Sequence, residues 1–305
     1  MAEPRPSRIL PIFLIAVVVV ASGVGAALLY EYNNPKPGAA AWTVSVGANV
    51  TVNYIGSFAS GPEAGRIFDT SIYSVAVNNA SYPKSLGFSY RGNESAYTPL
   101  GVSVGPNIPP SGYSIDGITF GGVVTGFWQG LLGLPVGKTQ TITVPPALGY
   151  GPLNASCLVV QPLTFTVPVL IPVAATSFAT QYPNVNATPG TEFPDPTYGW
   201  TDLILSKNAT AVVVENLPSV GWTVPQASWT VEVTGLTSST ITLTNELSPS
   251  QAGLVLGHVS GSGVCGATKF IVSAVDPTAG TYTENFNSEV TGQTLQFAVT
   301  VVAHY

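Results

Sequence analysis

The chain has 305 residues, 45% of them apolar and only 8% charged, with a formal net charge of −6. Soluble proteins ordinarily carry roughly 25% charged residues; here polarity rests on Ser, Thr and Asn, which keep it at any pH, a composition that fits an acidic exterior. Nine Lys and Arg residues form no basic patch, which argues against nucleic acid as a partner. The 32 glycines and 26 prolines suit short strands joined by many turns, and the length accommodates two domains and a membrane segment.

Residues 1–8 carry Arg5 and Arg8, and the run from Ile9 to Tyr30 has no charged residue. Such a run is long enough to span a bilayer as one helix. It exceeds the apolar region of a cleavable signal, so an uncleaved anchor over 9–30 is favoured, with cleavage near Ala26 or Ala27 as the alternative. The two arginines place residues 1–8 in the cytoplasm and everything after Glu31 outside. Six N-x-S/T sites begin at Asn49, Asn79, Asn93, Asn154, Asn186 and Asn208; they are candidates for glycosylation, although a chain rich in these residues produces some by chance. Cys157 and Cys265 are either an extracellular disulfide or two buried thiols.

Residues 31–41, "EYNNPKPGAAA", read as a linker. "WTVSVGANVTVNYIGSF" from Trp42 alternates apolar and polar residues, as half-buried strands do. Residues 72–121 are loop-rich. "VTGFWQGLLGLPVGK" (124–138) is a short helix, with Phe127, Leu131 and Leu132 at helical spacing and Gly133 and Pro135 ending it. "TQTITV" follows as a strand and runs into "PPALGYG", where Tyr150 sits between two glycines. From about 168 the pattern becomes hairpins, at 200–217, 229–247 and 269–286, and "GQTLQFAVTVVAHY" closes the chain as a strand. The first two hairpins both start at a Trp, which is a shared pattern rather than an established repeat.

The order of "VNYIGSF" (52–58), "GRIFDTS" (65–71), "TPLGVSVG" (98–105), "VVTGFWQGLLGLPVGKTQTITVPPALGYG" (123–151) and "TLQFAVTVV" (294–302) resembles the FKBP-type peptidyl-prolyl cis-trans isomerases. "FNSEVTGQTLQFAVTVV" (286–302) is similar to the return strand of the SlyD-like branch, in which a chaperone domain interrupts the flap. "DPTYGW" (195–200) is similar to what membrane-anchored archaeal relatives carry. The resemblance implies an α+β, β-rich fold: an FKBP-like antiparallel sheet of about five strands wrapped on one short helix, an inserted all-β domain and an N-terminal transmembrane helix. The isomerase domain would comprise 42–167 and 286–305, with the chaperone-like insert at 168–285. "PLTFTVPVL" (162–170) also resembles a closing strand, which would end the isomerase near 170; the "TLQF" match and Pro168, which would interrupt a central strand, favour the later one.

Position by position, the resemblance puts Tyr54 on the pocket wall, Phe68 and Asp69 beside it, Val123 and Val124 at the rim, Phe127 on the floor, Tyr150 at the tip and Phe297 at the back. Leu100 and Val102 replace the usual aromatics, Phe127 stands where Trp is frequent, and residues 106–121 are extra. The implied partners are proline-containing unfolded or exported polypeptides. With two histidines, no Cys/His cluster and no H-E-x-x-H, neither a metal, a cofactor nor metal-dependent hydrolase chemistry is expected. A holdase without catalysis and a structural cell-surface β protein are the competing readings.

Overall fold

The structure is a computed structural model that describes residues 42–225, 228–259 and 263–305. The expected cytoplasmic stretch 1–8, anchor 9–30 and linker 31–41 lie outside the described residues. Among the described residues no helix is long and apolar enough to cross a membrane.

Strand β1 (Asn49–Phe58) is followed by β2 (Ile67–Thr70), a short helix Tyr73–Val77, β3 (Leu100–Ser103), β4 (Ser114–Ile115) and β5 (Ile118–Gly121). The helix Thr125–Leu131 and β6 (Thr139–Val144) complete this part of the chain. The helix ends where the sequence predicts. Its residues Phe127 and Leu131 are buried. Gly126 and Gly130 let it lie flat on β6: a Cβ on Gly130 would fall 2.3 Å from Ile142 Cγ2, and one on Gly126 2.8 Å from Val144 Cγ1.

The chain continues through β7 (Leu158–Pro162), β8 (Thr164–Pro168), β9 (Leu170–Ala174), a helix Ala175–Gln181 and β10 (Glu192–Pro194). Three hairpins follow as β11 (Thr201–Lys207) with β12 (Ala211–Asn216), β13 (Val231–Leu236) with β14 (Thr240–Asn245), and, after β15 (Leu256–His258), β16 (Lys269–Asp276) with β17 (Thr281–Asn285). The final strand is β18 (Leu295–His304).

β18 returns to the first sheet, whose order is β4-β5-β3-β1-β18-β6 with β2 also on β1. It lies antiparallel between β1 and β6, from Val50↔His304 to Leu295↔Val144. Leu295, Phe297, Val299 and Val301 all point inward, as strict alternation requires. The sheet is larger than the expected five strands and is not wholly antiparallel. The extra residues 106–121 supply β4 and β5, and β5 runs parallel to β3. Gly101 permits that approach, because a Cβ there would sit 2.1 Å from the Thr119 carbonyl oxygen.

The strand pairing differs from the expected domain boundary at 168. β7, β8 and β9 already belong to the second set of sheets: β7 pairs with β17, β8 with β14 and β9 with β12. Those sheets therefore start at Leu158, and the 162–170 run does not close the first sheet. A proline ends both β7 and β8, which suits strands that stop after one partner. The region is also not all β, because Ala175–Gln181 is helical and buries Phe178 against Phe193 at 5.7 Å.

The three hairpins form a structural repeat that the sequence left as a shared pattern. Each receives one strand of the 158–174 run on its second strand, in reverse order. Each has a register shift at the same place in its first strand, after Ile204, Val233 and Val272. At the junctions, Asn216 N–H donates to the Val169 carbonyl, Asn245 N–H to Leu163 and Phe286 N–H to Cys157, which are evenly spaced along the chain. Trp200 Nε1 donates to Asn216 Oδ1 at 3.2 Å and Trp229 Nε1 to Asn245 Oδ1 at 2.9 Å, both pairs 16 residues apart. The three hydrophobic clusters follow the same division, each built on one hairpin.

The Cys157–Cys265 alternative resolves as a disulfide with Cα atoms 5.7 Å apart. It ties the entry of the repeat region to the loop before β16.

Asp202, 1% exposed, accepts from Trp200 Nε1 at 3.1 Å. Its carboxyl is pushed up to about 7 by burial first and then by the nearby Asp195 carboxylate. The unfolded value is about 3.9. A raised folded value means that the folded state holds the proton more tightly. The associated stability is complete below about pH 4 and is lost as pH rises through 7. Denaturant melts are expected to show stability falling between pH 4 and 7, with Asp202→Asn flattening that slope and gaining on the order of 2–4 kcal/mol at pH 8 relative to wild type. A wild-type profile already flat over this range would contradict it.

Candidate functional site

Five segments far apart in sequence meet at one place. β1 brings Tyr54, β2 brings Phe68 and Asp69, the helix brings Phe127, the turn after β6 brings Tyr150, and β18 brings Phe297. Register explains much of it, since Gly56 pairs with both Asp69 and Phe297. Gly56 is required there, as a Cβ would fall 2.7 Å from the Phe68 ring and 3.1 Å from that of Phe297.

The rings pack edge to face. Phe127 and Phe297 lie 4.9 Å apart, Phe68 and Phe297 5.6 Å, and Tyr54 and Phe127 6.3 Å, all near perpendicular. Tyr54, Phe127 and Phe297 are 7%, 3% and 4% exposed: they are core residues beneath Phe68 and, unlike the expected wall, floor and back wall, do not line the cleft beside it. Phe68 and Asp69 are half-buried, and Tyr150 is 49% exposed. Phe68, Asp69 and Tyr150 line a cleft of about 750 Å³. Val123 and Val124 lead into the helix, where Val124 carbonyl accepts from Phe127 N–H at 3.0 Å. They are half-buried and do not line this cleft.

The polar edge is a closed triad. Tyr54 Oη donates to Asp69 Oδ2 at 2.5 Å, while Arg91 Nη2 donates to Asp69 Oδ1 at 2.5 Å and to Tyr54 Oη at 3.2 Å. Burial, followed by the Asp69 charge, pushes the Tyr54 hydroxyl far above its ordinary range. The same two causes raise Tyr150. Both phenols therefore stay protonated donors at neutral pH. Arg91 stacks over Tyr97, with its guanidinium carbon 5.3 Å from the ring centroid, and its N–H donates to Tyr97 Oη at 2.9 Å.

Arg91 escaped the sequence reading because it lies in a loop without a motif and acts only through contacts to distant residues. The far wall of the cleft escaped it too: Leu256 and 267–271 from the third hairpin unit, and 286–290 from the return segment. Nothing in the order of strands signals that this hairpin faces the aromatic cluster.

Among the described residues no group of three or more His, Cys, Asp and Glu side chains is placed to hold a metal ion. What the arrangement offers is one half-buried ring, Phe68, opening onto the cleft above a buried ring cluster, beside the Tyr150 hydroxyl and the Asp69–Arg91 ion pair.

Two comparisons with known proteins bear on this chain. Over 87 residues, 28% of this chain, the sequence is 32% identical to a protein of Methanocaldococcus jannaschii described as a short-type peptidyl-prolyl cis-trans isomerase. The aligned part spans 41% of that relative's length. Residues 117–170 match the family described as FKBP-type peptidyl-prolyl cis-trans isomerase. That stretch holds Phe127 and Tyr150 and runs on into β7 and β8, which the fold assigns to other sheets. The similarity to FKBP-type peptidyl-prolyl cis-trans isomerases is thus carried by residues 117–170.

Proposed function

We propose that this chain is a membrane-anchored, extracytoplasmic peptidyl-prolyl cis-trans isomerase of the SlyD-like kind, with the hairpin region as an inserted chaperone-like domain. The observation that carries the catalytic part is that distant segments pack Tyr54, Phe127 and Phe297 beneath Phe68, which lines one cleft with Asp69 and Tyr150.

Rotation about an X–Pro bond is opposed by amide resonance, with a barrier near ~20 kcal/mol. Exchange therefore takes tens to hundreds of seconds unaided. A catalyst needs only to bind the twisted amide better than either planar form. The twisted amide has lost resonance, and its carbonyl is less polar. A dry floor of rings disfavours the dipolar planar amide and accepts the twisted one. Tyr150, raised over the mouth, donates its hydroxyl to a substrate carbonyl. Asp69 is held by Arg91 and Tyr54 and orients the polar edge.

The handling of unfolded chains rests on the cleft's second wall. Leu256, Phe270 and Ile271 of the third hairpin unit face the same space as Tyr150. A segment leaving that wall meets Phe68 and Tyr150 within the same cleft. The edge strands run from three residues, in β10 and β15, to six, in β13, so side chains rather than long open edges would hold the client. The extracytoplasmic, anchored location rests on the 9–30 run and the disulfide, and five of the six N-x-S/T asparagines are exposed, all but Asn49. The near closure of the floor favours a second reading, a holdase with weak catalysis.

The test is cis-trans exchange in an X–Pro peptide with the full chain in mild detergent. Acceleration well above buffer is expected. A rate equal to buffer, with aggregation of an unfolded client still suppressed, would favour the holdase.

A further inference from the structure

Between β2 and β3 the chain makes a long loop, and its tip carries Arg91 to Asp69 and Tyr54. Two carboxylates grip the start of that loop. Glu289 accepts from Ser85 Oγ at 2.8 Å through Oε1 and from Gly87 N–H at 2.8 Å through Oε2. Glu63, 8% exposed, accepts from the intervening Leu86 N–H at 3.0 Å. Gly87 has no side chain where the carboxylate lies, and a Cβ there would be 2.5 Å from Glu289 Cδ. Burial pushes both carboxyls up, so holding them here costs stability. Charged groups kept in place at such a cost tend to mark a site.

Glu289 belongs neither to the ring cluster nor to the hairpins. It stands on the return segment between β17 and β18 and lines the same cleft as Arg91. The chain that leaves the third hairpin is thus hydrogen-bonded to the loop that supplies the site's guanidinium.

The geometry points to Glu289 as a positioning residue for the isomerase site: by fixing Ser85 and Gly87 it sets the loop so that Arg91 meets Asp69 and Tyr54. The role rests on the isomerase reading and adds to it a physical link between the hairpin region's exit and the polar edge. Glu289 touches no substrate in this role. Its effect passes through Arg91, and that gives the test its form.

Wild type, Glu289→Ala, Glu289→Gln, Arg91→Ala and the Glu289→Ala/Arg91→Ala double variant are compared as full chains. kcat/KM is measured on an X–Pro peptide, and amide exchange is followed across 88–97, which Glu289 does not contact in this role. Glu289→Ala is expected to lower kcat/KM about five- to tenfold, the scale of a small misplacement at a site, and to speed exchange over 88–97. Glu289→Gln, which retains one acceptor oxygen, recovers part of both. The double variant is expected to be no slower than Arg91→Ala alone, because residues acting through one contact are not additive. A double variant that multiplies the two single losses would overturn the proposal, as would exchange over 88–97 unchanged in Glu289→Ala. If wild type itself gives no catalysis, the isomerase reading fails, and the exchange data alone decide whether Glu289 sets the loop.

Discussion

Phe127→Ala is expected to remove catalysed X–Pro exchange and to cost about 3–5 kcal/mol of stability, the range for a buried Phe truncated to Ala. Phe127 is 3% exposed and meets Tyr54 and Phe297 edge to face. Its loss opens a cavity in the floor and frees two neighbouring rings. Such ring pairs contribute about 0.5–1.5 kcal/mol beyond the area they bury. Urea melts and the peptide assay read the two effects separately. Phe127→Leu refills most of the volume, so it should keep the fold and lose activity only in part. Wild-type rates in a folded Phe127→Ala protein would remove the ring cluster from the mechanism.

Reduction of Cys157–Cys265 should be the other large effect. The bridge spans a sequence separation of 108. On the chain-entropy account a loop of that size contributes about 4–5 kcal/mol by restricting the unfolded state. A Cys157→Ser/Cys265→Ser variant, or wild type in reductant, is expected to melt on the order of 10 °C lower. Cys157 belongs to the cluster of the third hairpin with Phe270, Tyr282 and Phe286, and the loop after Cys265 leads into the cleft wall at Ala267 and Thr268. Reduction should therefore speed amide exchange in the third hairpin before it does so in the first sheet. A melting point indifferent to reductant would show that the bridge restrains nothing.

What was legible in the sequence was what local pattern encodes. The helix around Phe127, the three hairpins and the alternation of β18 are each dictated by spacing within one segment. The meeting of Tyr54, Phe68, Phe127, Tyr150 and Phe297 was legible only through resemblance, because no local rule brings β18 beside β1. Strand β5 and its parallel pairing with β3 were missed, since that pairing depends on Thr119 fitting against Gly101. The start of the hairpin region was misplaced for a related reason. "LVVQPLTFTVPVLIPVA" alternates like one long strand, and nothing in it states that its three parts go to three partners. Arg91 and Glu289 were invisible because their value lies in contacts, Asp69 and Tyr54 for one, Ser85 and Gly87 for the other. The Trp–Asn pairs could have been noticed: equal spacing at 200/216 and 229/245 is a sequence fact whose meaning only the hydrogen bonds disclose.

The place of β18 bears on biogenesis. Of the described strands the last to be made, β18, fills the middle of the first sheet, between partners made much earlier. Until it arrives, β1 and β6 face each other across a gap, and Phe127 lacks the ring it packs on. Pairing of such distant strands is slow, because the chain between them must first be ordered. The hairpin region can settle beforehand, held by local turns. A nascent copy thus passes through a stage in which the hairpins exist and the ring cluster around Phe127 does not.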